Sequence, residues 1–166
     1  ILISPMIVPL IITAAGMFFF YARINLVYSF TGIILAHVAL ATPFVVITVT
    51  ATLVGFDMNM VKASQSLGAR PIRTFFKVIM PLILPGVISG ALFAFITSFD
   101  EVVIVMFMGS LDQLTIPKQM WAGIRQEISP VILCMATCLV VLSILLLTTV
   151  ELLRRRSEKL RGITSR

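Results

Sequence analysis

Charge is what this chain has least of: acidic and basic side chains together make up 12% of its 166 residues, with only seven acids, one histidine and two cysteines. Soluble domains carry about twice that share of charge. The scarcity therefore argues against a water-soluble fold and against an active site built from several titratable groups. Cys134 and Cys138 stand four apart in one apolar run. They make neither a disulfide framework nor a four-ligand metal site, and are expected to be small buried hydrophobes. His37 has no second ligand or carboxylate close in sequence, so it is expected to be a packed, hydrogen-bonded residue rather than a metal ligand or pathway group. No G-x-x-x-x-G-K-[ST] loop occurs, which excludes nucleotide binding through that motif. No basic stretch precedes the first apolar run, which Pro5 and Pro9 interrupt, so a signal peptide is not expected. Since the chain opens at Ile1 inside that run without a methionine, it is expected to be a truncated piece.

What fills the chain instead is apolar side chain: 59% of residues, with a mean hydropathy of +1.10. Four runs reach the roughly 20 residues that a hydrocarbon core needs, at about 1–20, 30–54, 82–108 and 131–153. None alternates with period two, so helices are expected and barrel strands are not. The expected fold is an all-α integral membrane bundle of about four spans, forming one domain over residues 1–166. Lys62, Arg70, Arg73 and Lys77 lie between the second and third runs. Arg154, Arg155, Arg156, Lys159, Arg161 and Arg166 follow the last, whereas the remaining connections hold only Arg23, Lys118 and Arg125. This asymmetry places the 57–80 connection and the C-terminus in the cytoplasm, and accounts for the net charge of +6 without nucleic acid as a partner.

The 57–80 connection is the most polar long segment between the runs. Asp57 or Asn59 can cap a short helix carrying Met60, Ala63, Ser64 and Leu67 on one side, and Gly68 suits its C-terminal stop. Pro71 fits the first turn of a second helix, where Ile72, Phe75, Phe76 and Ile79 repeat at helical spacing while Arg73, Thr74 and Lys77 face elsewhere. The result is an elbow of two amphipathic helices.

The third run opens with Pro81 and Pro85 and carries Gly86, Gly90 and Ala94 at spacings of four, a face on which another helix, from this chain or a partner, can approach closely. Asp100 and Glu101 follow as the one adjacent acidic pair, counted from Pro81 to lie at the outer end of the core. They mark either the outer water boundary or a cation pathway, and on a continuous helix only one of the two can face a narrow path. Beyond Pro117, Met120, Trp121, Ile124 and Ile128 keep helical spacing opposite Lys118, Gln119, Arg125, Gln126 and Glu127, which describes a short interfacial helix.

The elbow resembles the signature loop of the permease subunits of binding-protein-dependent ABC importers: Glu-Ala-Ala, three residues, Gly, nine residues, Ile-x-Leu-Pro. Lys62-Ala63-Ser64, Gly68 and Val78-Ile79-Met80-Pro81 occupy these places, with Lys62 and Ser64 departing from the pattern. Ser98-Phe99-Asp100-Glu101-Val102-Val103, Thr115-Ile116-Pro117 and Ser129-Pro130 with Ala136-Thr137 resemble the C-terminal half of the spermidine/putrescine branch. The resemblance implies a non-enzymatic, multi-pass subunit of the bacterial inner membrane, part of a six-span permease. Its implied partners are cytoplasmic ATPase subunits that bind the ATP, a second permease copy or homologue, a solute-binding protein and lipid. It further implies ATPase coupling through Lys62, Ala63, Ser64, Leu67, Gly68 and Arg70, and a polyamine pathway at Asp100 and Glu101. Alternatives are an importer of another small solute, a secondary carrier using the acidic pair, and a non-transporting scaffold.

Overall fold

The computed structural model describes residues 2–126 and 130–160, and these are helical with short connections. Ile1, Glu127, Ile128, Ser129, Arg161 and Arg166 lie outside the described residues, as do the side chains of Arg125, Gln126, Arg154, Arg155, Arg156 and Lys159.

The first apolar run does not form one unbroken helix. It divides into α1 (Ser4–Ile7) and α2 (Leu10–Arg23), with Val8 extended at φ −80° and ψ 135°. Pro9 is the cause: it has no N–H to donate and its ring drives the preceding residue out of the helical region. The 14 residues of α2 rise about 21 Å, less than a ~30 Å hydrocarbon core. Three other stretches are long and apolar enough to cross: Phe30–Val54, Pro71–Phe99 and Pro130–Thr149.

The second run, α3 (Phe30–Val54), has the expected bounds. Ser29 starts it by accepting the Gly32 N–H at 3.0 Å while its own hydroxyl donates to the Leu26 carbonyl at 2.6 Å. Pro43 sits inside it, and Thr42, Thr48 and Thr52 donate their hydroxyls back to carbonyls one turn earlier, so polar groups in an apolar helix stay satisfied.

After α3 come α4 (Asn59–Ser66) and α5 (Pro71–Thr74), then a π-helical segment (Phe75–Ile79) that winds without a stop into α6 (Met80–Phe99). The second arm of the elbow is thus not a separate amphipathic helix but the lower end of the third span. The widened winding carries the Met80 N–H to the Phe75 carbonyl, five residues back, directly before Pro81.

The third run also ends differently from its hydropathy. It breaks at Asp100–Val102, and a short α7 (Val103–Met108) completes it. Then α8 (Ile116–Gln126) forms the helix expected beyond Pro117, with Trp121 half exposed, and α9 (Pro130–Leu160) ends the chain. Both cysteines are free and stand on the exposed side of α9 rather than buried in the fold.

Two packings organise the molecule. Along α3 and α6, Gly86 faces Thr52 and Gly90 faces Thr48 and Val45 so closely that a Cβ at Gly90 would lie 2.5 Å from the Thr48 hydroxyl oxygen. The small-residue face therefore meets α3 of the same chain, with Ala94 half-buried further along. Phe44 and Phe93 stack beside it. Nearer the α2–α3 turn, Ala14, Ala36, Leu40, Ile104 and Met108 form a buried cluster that draws α2, α3 and α7 together.

Candidate functional site

Chemistry-bearing residues gather in two places, the elbow and the break between α6 and α7. In the elbow, Asp57 begins α4 by accepting the Asn59 N–H on its carboxylate at 2.9 Å. The helix stops at Gly68, whose φ of +78° lies in the left-handed region that glycine adopts without strain. The Gly68 N–H reaches back to the Gln65 carbonyl and the Ala69 N–H to the Ser64 carbonyl, closing the terminus in a Schellman arrangement. Arg70, extended before Pro71, redirects the chain.

Lys62, Ala63, Leu67, Gly68 and Arg70 are exposed, Leu67 at 88%. Ser64 is turned inward. Its hydroxyl meets that of Thr74 at 3.0 Å, and Thr74 is only 2% exposed, so one hydrogen bond fastens α4 to the base of the third span. The sequence marks Ser64 as a departure from a pattern. Its partner ten residues on is not apparent there, because Thr74 reads as an outward residue.

At the break, the two acids separate in role. Glu101 is 5% exposed, and its carboxylate oxygens accept the N–H groups of Val103 at 3.0 Å and Ile104 at 2.7 Å. It thereby starts α7, where no intrahelical carbonyl is available to those donors. Asp100 is exposed and stands at a crevice of about 320 Å³ between α6, α8 and α9 that is otherwise walled by side chains such as Phe95, Ile96 and Leu147. The pair is therefore not on a continuous helix, and α7 adds about 9 Å of rise beyond it. The acids lie beneath a further helix rather than at its outer end.

His37, on α3, is hydrogen-bonded through Nδ1 to the Ser98 hydroxyl on α6 at 2.8 Å. A second cavity, of about 300 Å³, lies beside this pair and is lined by His37, Ser98, Glu101, Phe95, Phe99 and Thr115, among others. Phe95 and Phe99 stack with ring centroids 5.3 Å apart.

The connection between α7 and α8 is tied down chiefly through Gln113, which the sequence does not single out. The Tyr28 N–H donates to the Met108 carbonyl at 2.9 Å, and Gln113 donates its amide to the Tyr28 carbonyl at 3.3 Å while accepting the Ser110 N–H at 3.0 Å. Lys118 donates to the Ser110 and Gln113 carbonyls at 3.1 and 3.3 Å. Gln113, buried in a loop, carries no periodic signal by which to find it. Among the described residues no three His, Cys, Asp or Glu side chains gather into a metal site.

The family described as binding-protein-dependent transport system inner membrane component matches residues 1–159. The chain is 31% identical over 153 residues to the spermidine/putrescine transport system permease protein PotC of Haemophilus influenzae, covering 92% of this chain and 60% of that protein. It is 30% identical to PotC of Escherichia coli K12 over 93% of this chain and 58% of that protein, and 29% identical to the putrescine transport system permease protein PotI of the same strain over 81% and 50%. The chain thus spans about three fifths of the length of the PotC relatives it matches.

Proposed function

The chain belongs to the family of binding-protein-dependent transport system inner membrane components, and on that premise we propose that it is the transmembrane permease subunit of an ABC importer that carries polyamines such as spermidine and putrescine. It pairs with a second permease, two cytoplasmic ATPase subunits and an external solute-binding protein. The chain is non-catalytic and holds no cofactor; ATP is bound and hydrolysed by the ATPases.

The observation that carries this reading is the elbow. A short helix with an exposed leucine, closed at a left-handed glycine and hydrogen-bonded to the base of a membrane span, is built to receive a push and pass it on. Lys62, Ala63, Leu67, Gly68 and Arg70 meet the ATPase on the cytoplasmic side, and Ser64 links that contact to the third span. ATP-driven closure displaces the elbow, and the shift reaches α6 and, through the α3–α6 packing, α3. The pathway then turns from inward-open to outward-open and receives cargo from the binding protein, an equilibrium biased by differential binding to two states. Asp100, exposed at the break, supplies negative charge to a polycation in a low-dielectric passage, and Glu101 adds to the field.

The test is to purify the complete transporter with its binding protein and titrate the latter with spermidine and putrescine. Saturable binding, with uptake into proteoliposomes that requires ATP, is the expected result. Uptake that persists without the ATPases would make the chain a secondary carrier, and binding of an unrelated solute alone would remove the polyamine assignment.

A further inference from the structure

Among the described residues, one buried side-chain nitrogen or oxygen atom has no hydrogen-bond partner: Nε2 of His37. An unpaired polar atom sealed from water is costly and rarely kept without use. A phenylalanine or leucine would fill the same space in α3 without that penalty. The imidazole lines the 300 Å³ cavity beneath the α6–α7 break, and its neighbours there form a consistent chemical set. Glu101 brings a negative charge whose oxygens are already engaged by the Val103 and Ile104 N–H groups, so it contributes field more than contact. Phe95 and Phe99 contribute aromatic faces, which attract cations when desolvated. Thr115 adds a hydroxyl. Acceptor, negative field and aromatic walls in one small cavity complement a protonated primary amine on an alkyl stem.

We propose that His37 is a cargo-contacting residue whose Nε2, covered in this conformation, is uncovered as cargo enters the cavity shared by Glu101, Phe95 and Phe99 and then accepts a hydrogen bond from one terminal ammonium of the transported amine. The bound ammonium selects the imidazole tautomer. With the proton on Nδ1 donated to Ser98, Nε2 presents a lone pair, and an ammonium, which can only donate, is the matching ligand. Ser98, whose hydroxyl can accept as well as donate, fixes the ring orientation and leaves the tautomer to the ligand, so the α3–α6 contact sets the geometry of the subsite. This inference rests on the polyamine reading above and extends it to a particular residue and atom.

Two amide substitutions divide the imidazole's functions, since asparagine places a polar atom near the Nδ1 position and glutamine near the Nε2 position. The full-length chain carrying His37→Gln or His37→Asn is assembled with its partners, checked for complex yield, and assayed in proteoliposomes for KM and maximal rate of radiolabelled spermidine uptake. His37→Gln is expected to keep KM within about threefold of the unsubstituted complex, and His37→Asn to raise it about tenfold or more, the size of effect that loss of one hydrogen bond to a charged group produces. The opposite order, with asparagine tolerated and glutamine not, would make His37 a tie to Ser98 alone and overturn the proposal. So would equal KM in all three complexes, or a fall in maximal rate at unchanged KM in both variants. Absence of spermidine uptake by the unsubstituted complex defeats the polyamine assignment itself, and the inference with it, which keeps that failure distinct from one confined to His37.

Discussion

Asp100 and Glu101 are neighbours of the same chemical kind, yet their surroundings make them respond differently to substitution. Glu101→Ala leaves two backbone donors without their acceptor in the fold, a cost of roughly 2–4 kcal/mol. Its expected signature is a lower melting temperature of the purified complex and reduced yield. Asp100→Asn removes a charge that supports no backbone, so melting and assembly stay as they were while polyamine uptake falls about tenfold or more, as expected on removing one partner of a close charge pair. A melting temperature lowered equally by both substitutions would contradict this division. The sequence shows the pair and its rarity, but not the division, because the break at Asp100–Val102 contains neither glycine nor proline, the residues by which such breaks are recognised. Gly68 is the opposite case: its place after an amphipathic stretch announces a helix terminus, and its φ of +78° is the conformation such a terminus uses. Gly68→Leu meets no steric obstacle, since nothing lies within 4 Å of the new Cβ, but forces a left-handed backbone worth about 1–2 kcal/mol. Membrane insertion should be intact while ATPase co-purification and coupled hydrolysis are lost; normal association and uptake would sink the coupling role.

Among whole elements, the α3–α6 pair is legible in part. Small residues four apart indicate a close helix approach, and the structure supplies the partner: α3 with its threonines and Val45. A Cβ at Gly86 would collide with Thr52 and come within 3.0 Å of the Thr48 carbonyl oxygen, which is backbone and cannot swing aside. Gly86→Val should therefore destabilise the pair by about 1–3 kcal/mol, and a disulfide-trapping assay between cysteines introduced on α3 and α6 should report a lowered cross-linking yield. Unchanged yield would mean the helices separate more cheaply than their packing implies. The first apolar run reads as a single span because hydropathy sums side chains and is blind to a missing N–H, whereas Pro9 acts on the backbone alone.

For the molecule as a whole, the charge asymmetry predicts an orientation that a simple experiment reads. With Cys134 and Cys138 replaced, a thiol introduced by Lys62→Cys should react with a membrane-impermeant maleimide in inside-out vesicles and stay unlabelled in right-side-out ones. The reverse pattern would invert the topology and detach the elbow from any cytoplasmic ATPase. All-helical architecture is readable from composition and run length, which act at this scale. Much of the packing is not, because contacts between distant segments such as His37–Ser98 and Tyr28–Gln113 leave no periodic trace in either partner. The π-winding at Phe75–Ile79 belongs here too, for it joins the elbow to everything above it. Each residue added to or removed from a helix rotates its two ends against each other by about 100°. A π turn already holds one residue more than an ordinary one, so deleting one residue in this segment and letting it relax to ordinary winding would leave α4 and Leu67 facing nearly as before, whereas straightening the winding at unchanged length would swing them through that angle. Which way the elbow points is thus written in the winding of this segment, and two chains with identical elbows and equal lengths here but different winding would address different surfaces.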